Sequence, residues 1–506
     1  MVAYDRSVSV WVGWTRRPYV VAAAIFAVVV ALRLPFATTH LWAWDSVLYA
    51  RALEQGFHVS ADPAASRPHP PGYLWYVGLA ALARTVLADS NAALVLVSIL
   101  ASAAGAALLY LVAARYVRPG LALLVALAYA VSPLTWMYSE IAYPYTVLAL
   151  ISLALGALFL ARTSPVVASL AFGVLSGARQ DVLILLAPLW LWSVRPRGER
   201  DLLRYGGLVV AGTLTWIVPS MALSGGPGEY IGALLQQSEL VADTYSAPAR
   251  GLPALVYNAG FTIEAIGWGL GLLCIPLLVV MARAARAAWR SHDIRLDALA
   301  AGLVLWTVPA LGFYAIIHIG EWGYVLSVLP ALLLSAAIAL EGMVPPRLTA
   351  LWALGAAASV LLPAGIFLAG EDAYHAVVGG AEFSAAALAQ HEARMSADVS
   401  YVRRQFAPAS TLIVTREDHQ LVRYYLPEYR TYFWDPDPYS NQAKRRRTMR
   451  PMNVVVLTPG LQPLLQGDVR RVEVAPGVTV SYVALDAGGV LELTGERYNV
   501  RDTPIR

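Results

Sequence analysis

Residues 71–87 decide the fold: Pro71-Gly72-Tyr73-Leu74-Trp75-Tyr76-Val77-Gly78-Leu79-Ala80-Ala81-Leu82-Ala83-Arg84-Thr85-Val86-Leu87. The run is almost apolar enough to read as a membrane span. It nevertheless opens on Pro70-Pro71-Gly72 and carries Trp75, Tyr76 and Arg84. Whether it crosses fixes the side of the membrane on which every later loop lies. That a membrane is involved follows from composition. The 506 residues are 58% hydrophobic and 14% charged, with a mean hydropathy of +0.58. An ordinary soluble protein carries about 25% charge. A disordered chain, a nucleic-acid binder and a soluble enzyme are thereby excluded, leaving an integral membrane protein.

A bilayer-spanning helix needs about 20 apolar residues. Runs of this kind lie near 18–36, 91–113, 119–137, 143–161, 165–178, 180–194, 204–223, 260–282, 298–318, 323–341 and 347–368. Cytoplasmic loops accumulate Lys and Arg. If 71–87 does not cross and the N-terminus is cytoplasmic, 15 of the 21 Lys and Arg before residue 370 fall inside. If it crosses, every later loop flips and most violate the rule. The sequence therefore predicts about eleven transmembrane helices in residues 1–368, with 71–87 as an interfacial helix within a first outer loop, 37–90. A second outer loop, 224–259, opens on Ser224-Gly225-Gly226-Pro227-Gly228 and reads as a mobile loop over a cavity. Residues 369–506 are as charged as a soluble domain, with 16 acids against 16 bases. They read as a small extracytoplasmic α/β domain: a helix in 371–406, then short β-rich runs at 411–415, 453–458, 472–474 and 478–485. The run Lys444-Arg445-Arg446-Arg447 reads as a solvated loop. Cys274 is the sole cysteine, so no intrachain disulfide can form.

The polar residues of the membrane region gather at the outer face in four clusters. Asp45 follows the first span among Trp42 and Trp44, where an aspartate could simply cap a helix from 46 to 55. Tyr138-Ser139-Glu140-Ile141-Ala142-Tyr143-Pro144-Tyr145 ends the third span and puts a second carboxylate on that face. Two carboxylates sharing a cavity suit acid/base chemistry, because neighbours tune each other's pKa. Gly177-Ala178-Arg179-Gln180-Asp181 places an arginine where the positive-inside rule disfavours one. Either a local Arg179–Asp181 pair or an anion in the cavity would explain it, since the guanidinium fork fits phosphate. His318-Ile319-Gly320-Glu321-Trp322-Gly323-Tyr324 closes the set.

These residues resemble a known superfamily. Arg33, Asp45-x-x-x-Tyr49-Ala50, Gly56 and His69-Pro70-Pro71-Gly72-Tyr73 look like the first outer loop of GT-C glycosyltransferases. The nearest likeness is to the protein O-mannosyltransferases and the bacterial lipid A aminoarabinose transferases. Ser139-Glu140 and Pro144-Tyr145 look like their second acidic motif, and Gly177–Asp181 resembles their basic turn. The resemblance covers about residues 18–345. It implies a multi-pass enzyme of the bacterial plasma membrane that takes a sugar from a polyprenyl-phosphate donor and passes it, with inversion, to a lipid, glycan or protein acceptor. It further implies that Asp45 is the catalytic carboxylate, with Glu140 the second. Arg179, His69 and Arg67 would hold the donor phosphate. Arg33, Tyr49, Tyr73, Tyr143, Tyr145, Asp181, His318, Glu321 and Tyr324 would line the substrate cavity. No cofactor is expected and nothing supports a divalent metal. Two positions depart from the pattern. Ser46 stands where relatives often have a second acid, weakening a metal or second-base role there, and His69 stands where they often have Lys. A transporter or flippase of lipid-linked sugars would instead hold charges near the midplane and show inverted repeats. A surface-polysaccharide polymerase or ligase would not need these carboxylates in this order.

Overall fold

The computed structural model describes residues 17–62, 65–291, 296–343, 350–369, 383–416, 418–433, 446–449, 452–457, 468–485 and 491–494. Arg6, Arg16, Arg295 and Arg347 of the topology count lie outside the described residues, as do Lys444 and Arg445 of the basic run. Among the described residues, six helices are long and apolar enough to cross a bilayer: Pro18–Phe36, Ser90–Ala113, Glu199–Leu223, Leu252–Arg286, Ala298–Ile316 and Ala350–Leu368. The bent pair Pro119–Val131 and Pro133–Glu140 makes a seventh. The protein is an integral, multi-pass membrane protein. Others of the eleven expected spans are shorter apolar helices. Tyr145–Leu160, Pro165–Ala178 and Leu329–Met343 are shorter than a full crossing, and 180–194 is broken into Val182–Leu185 and Ala187–Val194.

Residues 71–87 yield a helix of only ten residues, Leu74–Ala83. At 1.5 Å per residue it is about 15 Å long, half the hydrocarbon thickness. Trp75 Nε1 donates to Val174 O (2.7 Å) and pins this helix beside Pro165–Leu175.

Ser90–Ala113 is the central helix. Of its most apolar stretch 67% is buried inside the protein, against 22% for Pro18–Phe36. Small residues (Ser98, Ala101, Ser102, Ala103, Gly105, Ala106) let neighbours approach, the usual device where lipid gives no hydrophobic drive between helices. The bend of 52° at Ser132-Pro133 has a local cause. Proline lacks the N–H of a continuous helix and drives the residue before it out of helical backbone. Ser132 (ψ 128°) restarts the helix with its side chain. This bend carries Glu140 to the end of the short helix Pro133–Glu140.

The second outer loop is helical, not irregular. Pro227–Tyr245 and Ala247–Arg250 fill it, and the next span begins as early as Leu252. In the tail, the helix Ala385–Gln405 covers a five-stranded sheet of order β2-β1-β4-β6-β5. The strands are β1 (Thr411–Thr415), β2 (Arg430–Phe433), β4 (Asn453–Val456), β5 (Arg470–Ala475) and β6 (Val478–Ala484). β1 runs parallel to β2 and β4, whereas β6 runs antiparallel to β4 and β5. A separate antiparallel pair joins β3 (Arg446–Met449) to β7 (Leu491–Thr494), so half of the basic run is strand. The helix His419–Tyr425, which no sequence signal announced, faces the first outer loop.

Candidate active site

The helix Trp44–Gln55 begins one residue before Asp45, and its N-cap residue, Ala43, has no side chain able to accept a hydrogen bond. Asp45 therefore sits in the first turn rather than at the cap. There the helix dipole favours a carboxylate, and both oxygens remain available to the cavity. Its Oδ2 lies 3.3 Å from His69 Nε2, with the side chains 29% and 25% exposed. His69 Nδ1 donates to Pro70 O (2.6 Å), which turns Nε2 toward Asp45. Burial pushes Asp45 up, but the charge and contact of His69 and the field of Arg179 bring it below the usual carboxylate range. Burial pushes His69 down, but Asp45 more than compensates and holds it above its ordinary value. Their contact favours the charged form of both groups. Tyr49 and Tyr73 flank it, edge-on to each other at 5.5 Å, and Tyr73 lies 5.3 Å from the His69 ring. Tyr73 holds a left-handed backbone (φ 50°) that reverses the chain into the Leu74 helix.

The second element is the turn 176–181. Gly177 allows no side chain: a Cβ would stand 2.4 Å from Trp75 Nε1 and 2.5 Å from Trp216 Cγ. Gln180 Nε2 and Tyr230 OH both donate to Pro71 O, at 3.0 and 2.9 Å. The turn is thus tied to the His69 loop. Arg179 is 6% exposed. Its Nε meets Asp181 Oδ2 at 2.9 Å, and its guanidinium lies 3.8 Å from the centroid of Tyr324 and 5.5 Å from that of Tyr145. The local pair exists, yet it does not use up the arginine, because Nη1 is buried without a hydrogen-bond partner.

The third element is the segment between the helices Ala298–Ile316 and Leu329–Met343. Tyr138 OH donates to Glu321 Oε2 (3.0 Å). Burial and the nearby charge of Asp45 push the Glu321 carboxyl up to about 7. Burial, helped by Arg179, pushes His318 down to about 4, so it is neutral. Its ring packs against Tyr245 and Tyr324 at 4.8 and 5.8 Å. Tyr143 stacks on Tyr145 (5.4 Å, 15°), and Tyr145 meets Tyr324 at 5.7 Å.

Three expected site residues lie elsewhere. Glu140 does not meet Asp45. It is fully buried, 3.8 Å from Arg33 Nε, and its backbone carbonyl accepts from Thr38 N and Thr38 Oγ1. A carboxylate at a helix C-terminus opposes the dipole and needs such a cation. Arg33 is the cation: it lies 4.7 Å over the Trp136 ring and donates to Ala130 O. Glu321 is the second carboxylate near Asp45. Arg67 Nη1 donates to Gln55 Oε1 (3.2 Å), and Arg67 is an electrostatic neighbour of Arg51. Sequence reasoning missed Tyr138 and Gln180, although both stand inside the quoted motifs. It also missed Tyr245, whose only signal was the polar character of the second outer loop.

Polar atoms of these elements are short of partners. Besides His69 Nε2, four buried atoms have no hydrogen-bond partner: Arg179 Nη1, Gln180 Oε1, Asp181 Oδ1 and His318 Nδ1. An unpaired buried donor or acceptor costs about 1–3 kcal/mol, so the site is built for a polar ligand or ordered water. Among the described residues, no three His, Cys, Asp or Glu side chains converge as metal ligands.

No protein-family model matches the sequence, and no curated protein matches it. Solved structures do. ArnT from Cupriavidus metallidurans bound to undecaprenyl phosphate aligns over 94% of this chain and 99% of its own, at 15% identity and a TM-score of 0.56. The same protein in the apo state aligns over 92% and 97%, at 15% identity and a TM-score of 0.53. The chain therefore shares the fold of that structure, a helical membrane module followed by a small α/β domain in this chain.

Proposed function

We propose that the protein is a membrane glycosyltransferase that moves a sugar from a polyprenyl-phosphate donor to an acceptor hydroxyl or amine, with inversion at the anomeric carbon. The observation that carries this reading is Arg179: a buried guanidinium with a free Nη1, facing the Asp45–His69 pair inside a module of apolar helices. A lipid-linked phosphate has the two properties this place selects for, a tail that partitions into the bilayer and a headgroup that needs a buried cation. The fold neighbour ArnT was solved with undecaprenyl phosphate, which supports the same donor class.

In the reaction the acceptor oxygen or nitrogen attacks the anomeric carbon while the bond from that carbon to the phosphate oxygen breaks. The departing phosphate gains charge in the transition state. Arg179, with His69 in its protonated form, stabilises that charge from fixed positions. Asp45 accepts the acceptor's proton as the new bond forms. Glu321 replaces Glu140 as the second carboxylate and, near its midpoint at neutral pH, trades a proton with the acceptor side. Tyr73, Tyr143, Tyr145 and Tyr324 supply the faces on which a sugar ring packs. The N-terminus is assigned to the cytoplasm and the tail domain to the outside of a bacterial plasma membrane, as the arginine distribution requires.

The test is binding of undecaprenyl phosphate to the purified protein in nanodiscs. Arg179→Ala is expected to weaken binding ten- to a hundredfold, the scale of one or two charge-assisted hydrogen bonds. Equal binding by variant and wild type would remove the phosphate assignment.

A further inference from the structure

A second group of cations lies at the seam between the first outer loop and the tail domain, away from Asp45. Arg51 stands six residues after Asp45 on the same helix, about 9 Å along its axis and on a different face. It is 5% exposed, and Arg423 and Arg67 are its like-charged neighbours. Arg51 Nη1 donates to the neutral amide of Gln420 (2.8 Å), and Arg67 Nη1 to the neutral amide of Gln55. None of the three arginines forms an ion pair with a described residue. Among the described residues the acid beside Arg51 is Glu54, which is engaged by Ser90 Oγ (2.7 Å) and Tyr424 OH (2.5 Å).

Two further atoms point to a missing ligand. Arg67 Nε is buried without a partner, and so is Nε2 of His419. His419 is 1% exposed, its Nδ1 is taken by Thr415 Oγ1 (2.9 Å), and its charged neighbours are Arg423 and Arg51. Among the described residues, Arg51 lies in the field of two other guanidinium groups and beside one engaged carboxylate, which is unfavourable unless an anion joins them. Burial, the larger cause, and the charge of Arg423 push Arg51 down to about 10.

We infer that Arg51, Arg67, Arg423 and His419 form a second anion-binding site, separate from Arg179, that takes a phosphomonoester or a comparable dianion between the first outer loop and the tail domain. The phosphate is either free in solution or the headgroup of a lipid. Because the site is made by both parts of the chain, its ligand draws the tail domain onto the helix that carries Asp45.

The test uses the full-length protein in phosphatidylcholine nanodiscs, in an Arg179→Ala background that silences the first site. Inorganic phosphate is titrated while thermal unfolding is followed. The background protein is expected to bind phosphate and to melt at a higher temperature as phosphate rises. Adding Arg423→Gln should weaken binding about tenfold, and Arg423→Lys should restore most of it. Without phosphate, Arg423→Gln should melt higher than the background protein, because it relieves like-charge repulsion. A purely structural Arg423 would instead lower melting whether or not phosphate is present. Competition by phosphatidic acid in the disc assigns the site to a lipid headgroup, and phosphate binding without such competition assigns it to a soluble ligand. Absence of phosphate binding in the background protein, or equal binding after Arg423→Gln, overturns the proposal. Neither outcome bears on the donor site, which the background has already removed.

Discussion

The Asp45–His69 pair and Glu321 divide the pH behaviour between them. Asp45 is held below the usual carboxylate range and stays ionised through neutral pH. Sugar transfer is therefore expected to fall on the acid side near pH 7 as Glu321, which burial and Asp45 hold near that value, takes up a proton. Glu321→Gln is expected to flatten the acid limb of the rate–pH profile, whereas Glu140→Gln should leave the limb in place. His69 has a folded pKa above its unfolded value, so the stability it adds is fully present below about pH 6.5 and is lost as pH rises through the folded pKa. The melting-temperature gap between wild type and His69→Gln should be widest near pH 5.5 and close in alkaline buffer. A gap that widens with pH would mean that His69 is neutral in the fold. Asp45 and Arg179 stood out in the sequence as charged residues at a membrane edge, each with a local alternative, a helix cap and an Asp181 pair, and His69 stood out only through the family resemblance. Glu140 gave the same local signal, and only Arg33, more than a hundred residues earlier, reveals that its charge is consumed inside the helix bundle.

Packing between elements sets where the Arg179 turn sits. Pro165–Leu175 and Glu199–Leu223 touch backbone to backbone: a Cβ on Gly173 would fall 2.1 Å from Val209 O, and one on Gly212 would fall 2.6 Å from Leu170 O. Trp216 Nε1 donates to Gly173 O (2.9 Å) and walls Gly177. Gly212→Leu should cost at least about 1–3 kcal/mol, as overpacking does, read as lowered thermal stability, and should weaken carrier binding by displacing Arg179. Unchanged melting would show that this crossing is looser than described. The apolar runs were legible at this scale because the bilayer demands them. The breaks at Ser132 and near Leu186 were not, since proline alone does not say whether a helix bends or ends. The helices of 224–259 escaped because their Gly/Pro opening looks like a loop; in the structure Gly226 precedes a helix that begins with Pro227.

Across the whole molecule, the tail domain clamps the strip that leads into Asp45. Glu392 accepts from Thr39 N and His40 N (3.0 and 2.9 Å), and also takes the Thr39 hydroxyl. His391 contacts Leu41 O at 3.0 Å, and Tyr425 OH accepts from Leu41 N at 2.7 Å. His419 and Phe433 pack on Trp44. Composition marked the tail as a separate charged domain, but no pattern in the sequence placed it on the first loop; that follows only from contacts more than 300 residues apart. Glu392→Ala should slow sugar transfer about ten- to a hundredfold through misplacement of Asp45, with little change in carrier affinity. A variant that loses carrier binding instead would assign the clamp to the donor side. Topology has its own check on a Cys274→Ser background. A cysteine replacing exposed Ala88 should react with an impermeant thiol reagent from outside, and one replacing exposed Arg197 should not. Labelling of Arg197→Cys from outside would mean that Leu74–Ala83 marks a crossing.

The most direct measurement is release of the carrier phosphate from a panel of undecaprenyl-phosphate sugars by the purified protein in nanodiscs, supplied with an extract of its own envelope as acceptor. Wild type is expected to release carrier from at least one donor, and Asp45→Asn to do so at least about a hundredfold more slowly while binding undecaprenyl phosphate normally. Release by Asp45→Asn at the wild-type rate would contradict the assignment of this site as the centre of sugar transfer.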